Sequence, residues 1–338
     1  MALSYRARRR LRRILVTLLV ILLAALLIWG CWMLWLHKFV YYTADGGAVL
    51  DLELAPISGQ GELAQRPQNQ ETIPIYYNEG ESVSNNKELT QLNGYYISSE
   101  ELVDISAVRA QLRTLAKDVP IMLDVKTIYG SFNYSSSVTS SRNSKVDTKQ
   151  VDSLIKELNA SGRYVIARMP AFRDKEYGLN HVDDGVFHSS RGYLWMDDNG
   201  CYWLNPAREG TLSHVSRIIH ELRSLGFDEV VLYDFRFPET DNIYFDGSQS
   251  QAVTAAAQTL LTSCGTDSFA VSFVGSSQLT MPQGRSRLYL ENAAAADAAI
   301  IAQSSGLEDP EIRVVFMTDV HDTRFDAYSV LRPLSAAH

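Results

Sequence analysis

From Asn93 onward the chain alternates short apolar runs with amphipathic stretches of helical length. A buried apolar run too brief for a helix reads as a strand. The runs predict strands at Gly94–Ser98, Pro120–Lys126, Arg163–Met169, Glu229–Phe235, Phe269–Val274, Arg287–Glu291 and Ile312–Thr318. The stretches between them predict helices at Ile105–Ala116, Val151–Asn159, Thr211–Leu225, Gln249–Thr262 and Asn292–Gln303. Asp104 stands where an N-cap belongs, and Gly162 and Gly226 follow two helices, where a left-handed glycine closes the last turn. Strands separated by crossover helices build a parallel sheet. The expected fold is therefore α/β, a TIM-like (β/α)8 barrel rather than an open doubly wound sheet. An eighth strand is not visible before the chain ends in Leu334–His338. Either Ile73–Tyr77 supplies it upstream, or the barrel is incomplete with seven strands.

The amino end obeys different physics. Arg6, Arg8, Arg9, Arg10, Arg12 and Arg13 precede Ile14–Leu36, which contains no charged residue. About 20 apolar residues span a bilayer's hydrocarbon core as a helix, so 14–36 is expected to be a transmembrane anchor. Trp29, Trp32 and Trp35 sit near its far end, with Tyr41 and Tyr42 beyond, as in an interfacial aromatic belt. The arginines assign 1–13 to the cytoplasm and 39–338 to the outside of a single-pass cell-membrane protein. No small-residue cleavage site follows the apolar run, which argues against a removed signal peptide. Residues 37–91 hold Gly46-Gly47, Ser58–Gly61 and a Gln/Asn/Pro run, and read as a linker before a domain over 92–338.

Charge and cysteines exclude several functions. Seven of the 31 basic residues and none of the 39 acidic ones fall within the first 38 positions, so 24 bases face 39 acids beyond them, a net of −15. Nucleic acid is a poor partner for such a surface. Of Cys31, Cys201 and Cys264, the first lies in the apolar segment, and the other two are expected at opposite faces of the sheet. No disulfide framework, cofactor motif or phosphate-cradling glycine loop is present, and His181, His188 and Asp319–Asp322 lack metal-ligand spacing.

Chemistry is expected at the strands' carboxyl ends, where α/β barrels carry it. On strand alternation, Asp234 and Arg236 share a face with Val230 and Leu232. Asp124 and Lys126 likewise share a face, and Arg168 ends the third strand. Three consecutive strands thus direct ionisable tips to one end, which predicts a polar pocket. Asp228 and Glu229 begin their strand at the opposite mouth, where charge serves stability. The insertion Ala171–Gly210 is long for its place and is expected to be functional. Within it Trp195, Trp203 and Asn205 suit sugars, whose apolar faces stack on rings while their hydroxyls bond polar groups. The competing reading is a loop pinned by buried aromatics.

Four segments in order carry a resemblance: Leu123–Lys126; Tyr164–Phe172 with Arg173-Asp174; Trp195–Trp203 with Leu204-Asn205-Pro206; and Gly226–Pro238. Over about residues 92–275 the chain resembles the bacterial DUF4015 family of glycoside-hydrolase-type (β/α)8 barrels, distantly similar to the α-amylase type. The resemblance implies carbohydrate hydrolysis at the barrel's carboxyl face, with an acid ending the fourth strand. That family reads Phe-Asp-Tyr-Ile-Arg-Phe-Pro where this chain reads Leu232-Tyr-Asp-Phe-Arg-Phe-Pro238. The acid is thus one place late, and a one-residue shift reverses a strand's face unless a bulge restores it. Thr127 and Phe273 also stand where the family tends to have an acid.

Glycosidic cleavage ordinarily uses two carboxyls. Asp234 is expected as nucleophile or stabiliser and Glu291 as the acid, with Glu239, Asp319 and Asp124 as other candidate partners. Arg236, Lys126 and Arg168, with Asp124, Trp195, Trp203, Asn205 and Asp319, are expected to hold the substrate. The expected partners are a polysaccharide or cell-envelope glycan and, through the anchor, a membrane. A hydrolase is one reading. The other is a carbohydrate-binding protein that has lost its acid pair, with a purely structural scaffold behind both.

Overall fold

The computed structural model describes residues 22, 25, 26, 29, 40–42, 48–50, 88–190 and 192–337. The chain divides into two units, 1–72 and 73–338. In the first, Leu22, Ala25, Leu26 and Trp29 are helical, and Val40–Tyr42 pairs antiparallel with Ala48–Leu50. Most of the expected anchor 14–36 lies outside the described residues, as does Ile73–Tyr77. Among the described residues no helix is long and apolar enough to cross a membrane.

The second unit is a closed barrel of eight parallel strands in chain order. They are β1 (Asn93–Ile97), β2 (Ile121–Asp124), β3 (Val165–Pro170), β4 (Glu229–Tyr233), β5 (Ala270–Val274), β6 (Leu288–Glu291), β7 (Val314–Met317) and β8 (Ser329–Pro333). The barrel is complete, and its missing strand is the last one, not an upstream segment. β8 closes the ring by pairing with β1, from Val330 against Asn93 to Pro333 against Tyr96. It escapes sequence reading for two reasons. Ser-Val-Leu-Arg-Pro has only two apolar side chains ahead of its proline, and a single 3-10 turn, Thr323–Phe325, replaces the crossover helix before it.

The helices are α1 (Ile105–Leu112), α2 (Thr148–Ala160), α3 (Lys175–Asn180), α4 (Glu209–Ser224), α5 (Gln249–Cys264), α6 (Ala298–Ser304) and α7 (Pro310–Arg313). Asp104 caps α1 by accepting from the Ala107 N–H. The expected helix over Asn292–Gln303 starts late because Asn292 takes a left-handed φ of 59°, which no helical first turn allows. Val151, Leu154, Ile155 and Leu158 of α2 and Val215, Ile218, Ile219 and Leu222 of α4 recur at helical spacing, and all are buried. Cys201 and Cys264 are free and buried.

Strand parity separates an inner core from the apolar layer under the helices. Met122, Ile166, Val231, Tyr289, Val315 and Leu331 form a cluster inside the barrel, while Val230 and Leu232 belong to the larger cluster under the helices. Val231 and Tyr233 are therefore the inward residues of β4, not Val230 and Leu232. At the amino mouth Glu229 and Arg287 make an ion pair with both side chains fully buried. The hydroxyls of Tyr164, Tyr289 and Ser272 donate to the same carboxylate.

β1 lies very close to the turn before β2. A Cβ placed on Gly94 would fall 2.2 Å from the Pro120 carbonyl oxygen, a backbone atom that cannot swing away. Gly94→Ala is expected to cost about 1–3 kcal/mol, as overpacking does. Thermal unfolding checks this, and an unchanged midpoint would show that β1 and β2 separate freely.

Candidate active site

Arg168 stands at the centre of the carboxyl mouth. Registered beside Asp124 on the neighbouring strand, it bonds that carboxylate at 2.9 Å and reaches Glu291 on β6 at 2.5 Å. Its guanidinium lies over the Tyr233 ring, 4.2 Å from the centroid. Burial alone would make the guanidinium easier to deprotonate, but Asp124 and Glu291 outweigh burial and hold it above its ordinary range. The Arg168 Nε is buried without a hydrogen-bond partner among the described residues. Burial, reinforced by Asp124, also pushes the Tyr233 hydroxyl above its usual range.

Asp234 reaches this mouth by a backbone device. β4 ends at Tyr233, and Asp234 turns into the left-handed region with φ 49°. Strict alternation would have sent its side chain toward the helices with Val230 and Leu232. Asp is one of the few residues that takes this conformation readily, because its short polar side chain bonds locally. The carboxyl is largely buried, with 17% of its side chain exposed, and the nearest cation is Arg173 Nη1 at 3.7 Å. Burial raises its pKa; Arg173, Arg236 and Arg168 oppose the rise, and the negative charge of Glu291 adds to it. The net result is a carboxyl that protonates more easily than an ordinary aspartate.

Of the two flanking arginines, Arg173 belongs to a small sheet-like loop, while Arg236 follows β4. Arg173 bridges antiparallel to Trp203, and Met196 to Tyr202. Arg173 is tied to Asp197 at 2.6 Å, and the Trp203 indole N–H donates to the same carboxylate oxygen at 3.0 Å. Burial pushes the Asp197 carboxyl up, but the bonds from the Cys201 N–H, Trp203 and Arg173 outweigh it and hold the pKa down. The guanidinium groups of Arg236 and Arg173 lie over the Trp203 ring, 5.1 and 5.7 Å from its centroid. Trp203 is 4% exposed. It is thus a buried pin rather than an open stacking face. Trp195 is partly buried and meets Trp203 edge to face at 6.5 Å. The Asn205 side chain accepts from the Ala207 N–H and caps a turn.

Lys126 does not join the mouth. The chain folds back after Val125, whose carbonyl accepts from the Asn133 N–H, so alternation stops before Lys126. Its ammonium is 1% exposed and pairs with Asp174 at 2.7 Å. The same Asp174 oxygen lies 3.3 Å from His214 Nε2. Burial disfavours the Asp174 carboxylate, yet Lys126 and His214 more than offset it and keep its pKa well below the usual range. Burial likewise lowers His214 below its ordinary value, the Asp174 bond notwithstanding.

Asp319 is exposed just past β7, and with Glu291 it helps to raise the Tyr96 hydroxyl, whose main cause is burial. Glu239 is mostly exposed, 3.5 Å from Arg236. Thus Asp124, Arg168, Asp234, Arg236 and Glu291 are brought together, while Lys126, Trp203 and Asn205 serve the walls. Reasoning from sequence missed Tyr233, Arg173 and Asp197 as parts of the site. Parity counted from Val231 finds Tyr233; the other two had no signal beyond their place in the long loop.

A closed barrel of eight parallel strands with ionisable side chains gathered at its carboxyl mouth defines the class of TIM-type (β/α)8 barrels. Residues 94–267 match the family DUF4015, described as "putative glycosyl hydrolase domain", and the chain belongs to that family. No curated protein matches it. Among solved structures it is similar to a hypothetical protein from Ruminiclostridium thermocellum ATCC 27405, at 20% identity over 53% of this chain and 96% of that one, TM-score 0.44. It is also similar to the glycoside hydrolase domain of PelA from Pseudomonas aeruginosa, at 11% identity over 74% and 96%, TM-score 0.45. A third is Aspergillus fumigatus Ega3, solved in complex with galactosamine, at 13% identity over 74% and 95%, TM-score 0.42.

Proposed function

We propose that this chain hydrolyses glycosidic bonds in an extracellular or cell-envelope polysaccharide, held at a membrane by residues 14–36. The observation that carries this reading is Asp234. A carboxyl biased toward its protonated form sits at one mouth with a second carboxyl, Glu291, whose counter-ion is Arg168. Two carboxyls in unlike environments are what glycosidic cleavage requires. The environments reverse the roles expected from sequence: Asp234 is the general acid that protonates the leaving oxygen. Glu291 is the carboxylate that attacks the anomeric carbon or activates water. The guanidinium of Arg168 balances charge as the glycosidic bond breaks.

The test is release of reducing ends from a panel of polysaccharides by the full chain. Because only the protonated acid donates, kcat/KM is expected to fall as pH rises through the raised Asp234 pKa, on the alkaline side of the usual aspartate range. A profile flat across that interval would sink the assignment of Asp234. The second reading is a carbohydrate-binding barrel without turnover. It is favoured by Tyr233 at the family's acid position and by Arg168 engaging Asp124 and Glu291 at once. Saturable glycan binding with no reducing ends after days of incubation would select it.

The membrane anchor is supported by its uncharged apolar length and the six arginines before it. Removing residues 1–36 is expected to move the protein from the membrane pellet to the soluble fraction. Continued pelleting of the shortened chain would refute the anchor.

A further inference from the structure

Trp203 invites assignment as a sugar platform, yet its surroundings describe another task. Its ring is buried, its N–H is spent on Asp197, and two guanidinium groups lie over it. Both arginines belong to Asp234's surroundings: Arg173 Nη1 stands 3.7 Å from the carboxyl, and Arg236 follows it by two residues. Arg173 has a stronger tie on its other side, 2.6 Å to Asp197, and its backbone is bridged to that of Trp203. Asp197 is itself fixed by the N–H groups of Asn199 and Cys201. Trp203 and Asp197 thus make one rigid piece carrying two cations toward one carboxyl. A ring face covered by cations gains from cation–π attraction, and that gain is largest where water is excluded.

We propose that Trp203 and Asp197 form a positioning pair, which holds the guanidinium groups of Arg173 and Arg236 beside the carboxyl of Asp234 instead of presenting a face on which a sugar stacks. Asp197 also sets the strength of this arrangement, since it shares Arg173 with Asp234 and so limits the positive charge that Asp234 feels. The catalytic consequence rests on the hydrolase reading, but the positioning itself does not.

The two members therefore have opposite effects. Trp203→Leu removes the surface under the arginines, lets them withdraw into water, and should move the Asp234 titration midpoint upward. Asp197→Asn leaves one oxygen where two received the indole, Arg173 and the Asn199 and Cys201 N–H groups, and it deletes the competing negative charge, so it should move the midpoint downward. Each shift is expected at roughly half a unit to one unit, the scale of a partly screened neighbouring charge. The measurement is the carboxyl 13C titration of Asp234 in the full chain, its signal identified by loss in Asp234→Asn. Trp203→Phe, which keeps a ring but not the N–H, covers the case where the leucine variant misfolds; it should shift the midpoint upward by less.

If the chain turns over glycan, Trp203→Phe should lower kcat with KM within about twofold, since it removes positioning rather than uniform binding. An Asp234 midpoint unmoved in every folded Trp203 variant would overturn the proposal, as would a tenfold rise in KM at constant kcat. Absence of turnover would remove the hydrolase reading alone, because the titration needs no substrate.

Discussion

Asp234→Asn is expected to lower kcat on an unactivated natural glycan by about 10²–10⁴-fold, the usual contribution of a positioned general acid. The substitution is unusually clean. Asn tolerates the left-handed conformation at φ 49° about as well as Asp, so the chain can leave β4 in the same direction. The amide cannot donate a transferable proton, and the alkaline limb of the pH profile should vanish with it. A leaving group that departs without protonation should recover most of the rate, which separates lost acid catalysis from lost folding. The variant should also be more stable at neutral pH. Asp234's raised pKa means that its stabilising contribution is present at low pH and declines as pH rises through that value. A neutral amide carries no such decline. A function-bearing residue that costs stability is a familiar trade-off. Wild-type kcat in Asp234→Asn, on a substrate with a poor leaving group, would leave Asp234 without a catalytic role.

Glu229→Gln is expected to be the most damaging single change to the barrel. The Arg287 guanidinium bonds Glu229, the Tyr164 hydroxyl at 3.2 Å and the Thr90 carbonyl at 2.8 Å, with no exposed atom to hydrate. Burial by itself would weaken its hold on the proton, but Glu229 outweighs that and keeps it fully charged. Removing the carboxylate's charge leaves a cation stranded inside the barrel, at a cost of about 3–5 kcal/mol. For a domain of this size that corresponds to a Tm lower by roughly 6–20 °C. Arg287→Met should cost a similar amount by stranding Glu229. The double variant Glu229→Gln with Arg287→Met should lose much less than the two singles together, because no charge is then left unpaired. Strictly additive losses would show that the network acts through packing alone. No effect on catalysis is expected beyond stability, since these residues line the mouth opposite Asp234 and Glu291.

Seven of the eight strands were legible because each is an apolar run bounded by turn residues and followed, in most cases, by an amphipathic helix. β8 was not, since it lacks the helix before it and contributes only two apolar side chains, Val330 and Leu331, to burial. At the mouth, Asp124, Arg168 and Glu291 were legible by position: each ends or nearly ends a strand, and alternation holds until there. Asp234 was found for an incomplete reason. Its place depends on a single left-handed residue, which alternation does not encode. Lys126 was misplaced because the chain reverses at Val125, and Trp203 because an aromatic next to Asp and Asn looks the same whether it pins a loop or lines a groove.

What the amino-acid sequence determined alone is the periodic content: strand and helix order, the parallel barrel that this order requires, the placing of Glu229 at the amino mouth and the family. These follow from local spacing and burial, which a linear pattern records directly. The tertiary structure alone decided how the ring closes, which carboxyls share a guanidinium, and that burial raises the pKa of Asp234. Those outcomes depend on residues far apart in the chain meeting at a few ångströms, as Arg168 meets Glu291 and Arg173 meets Asp234. Electrostatic coupling is set by that distance and by the exclusion of water, and neither quantity is written in one dimension.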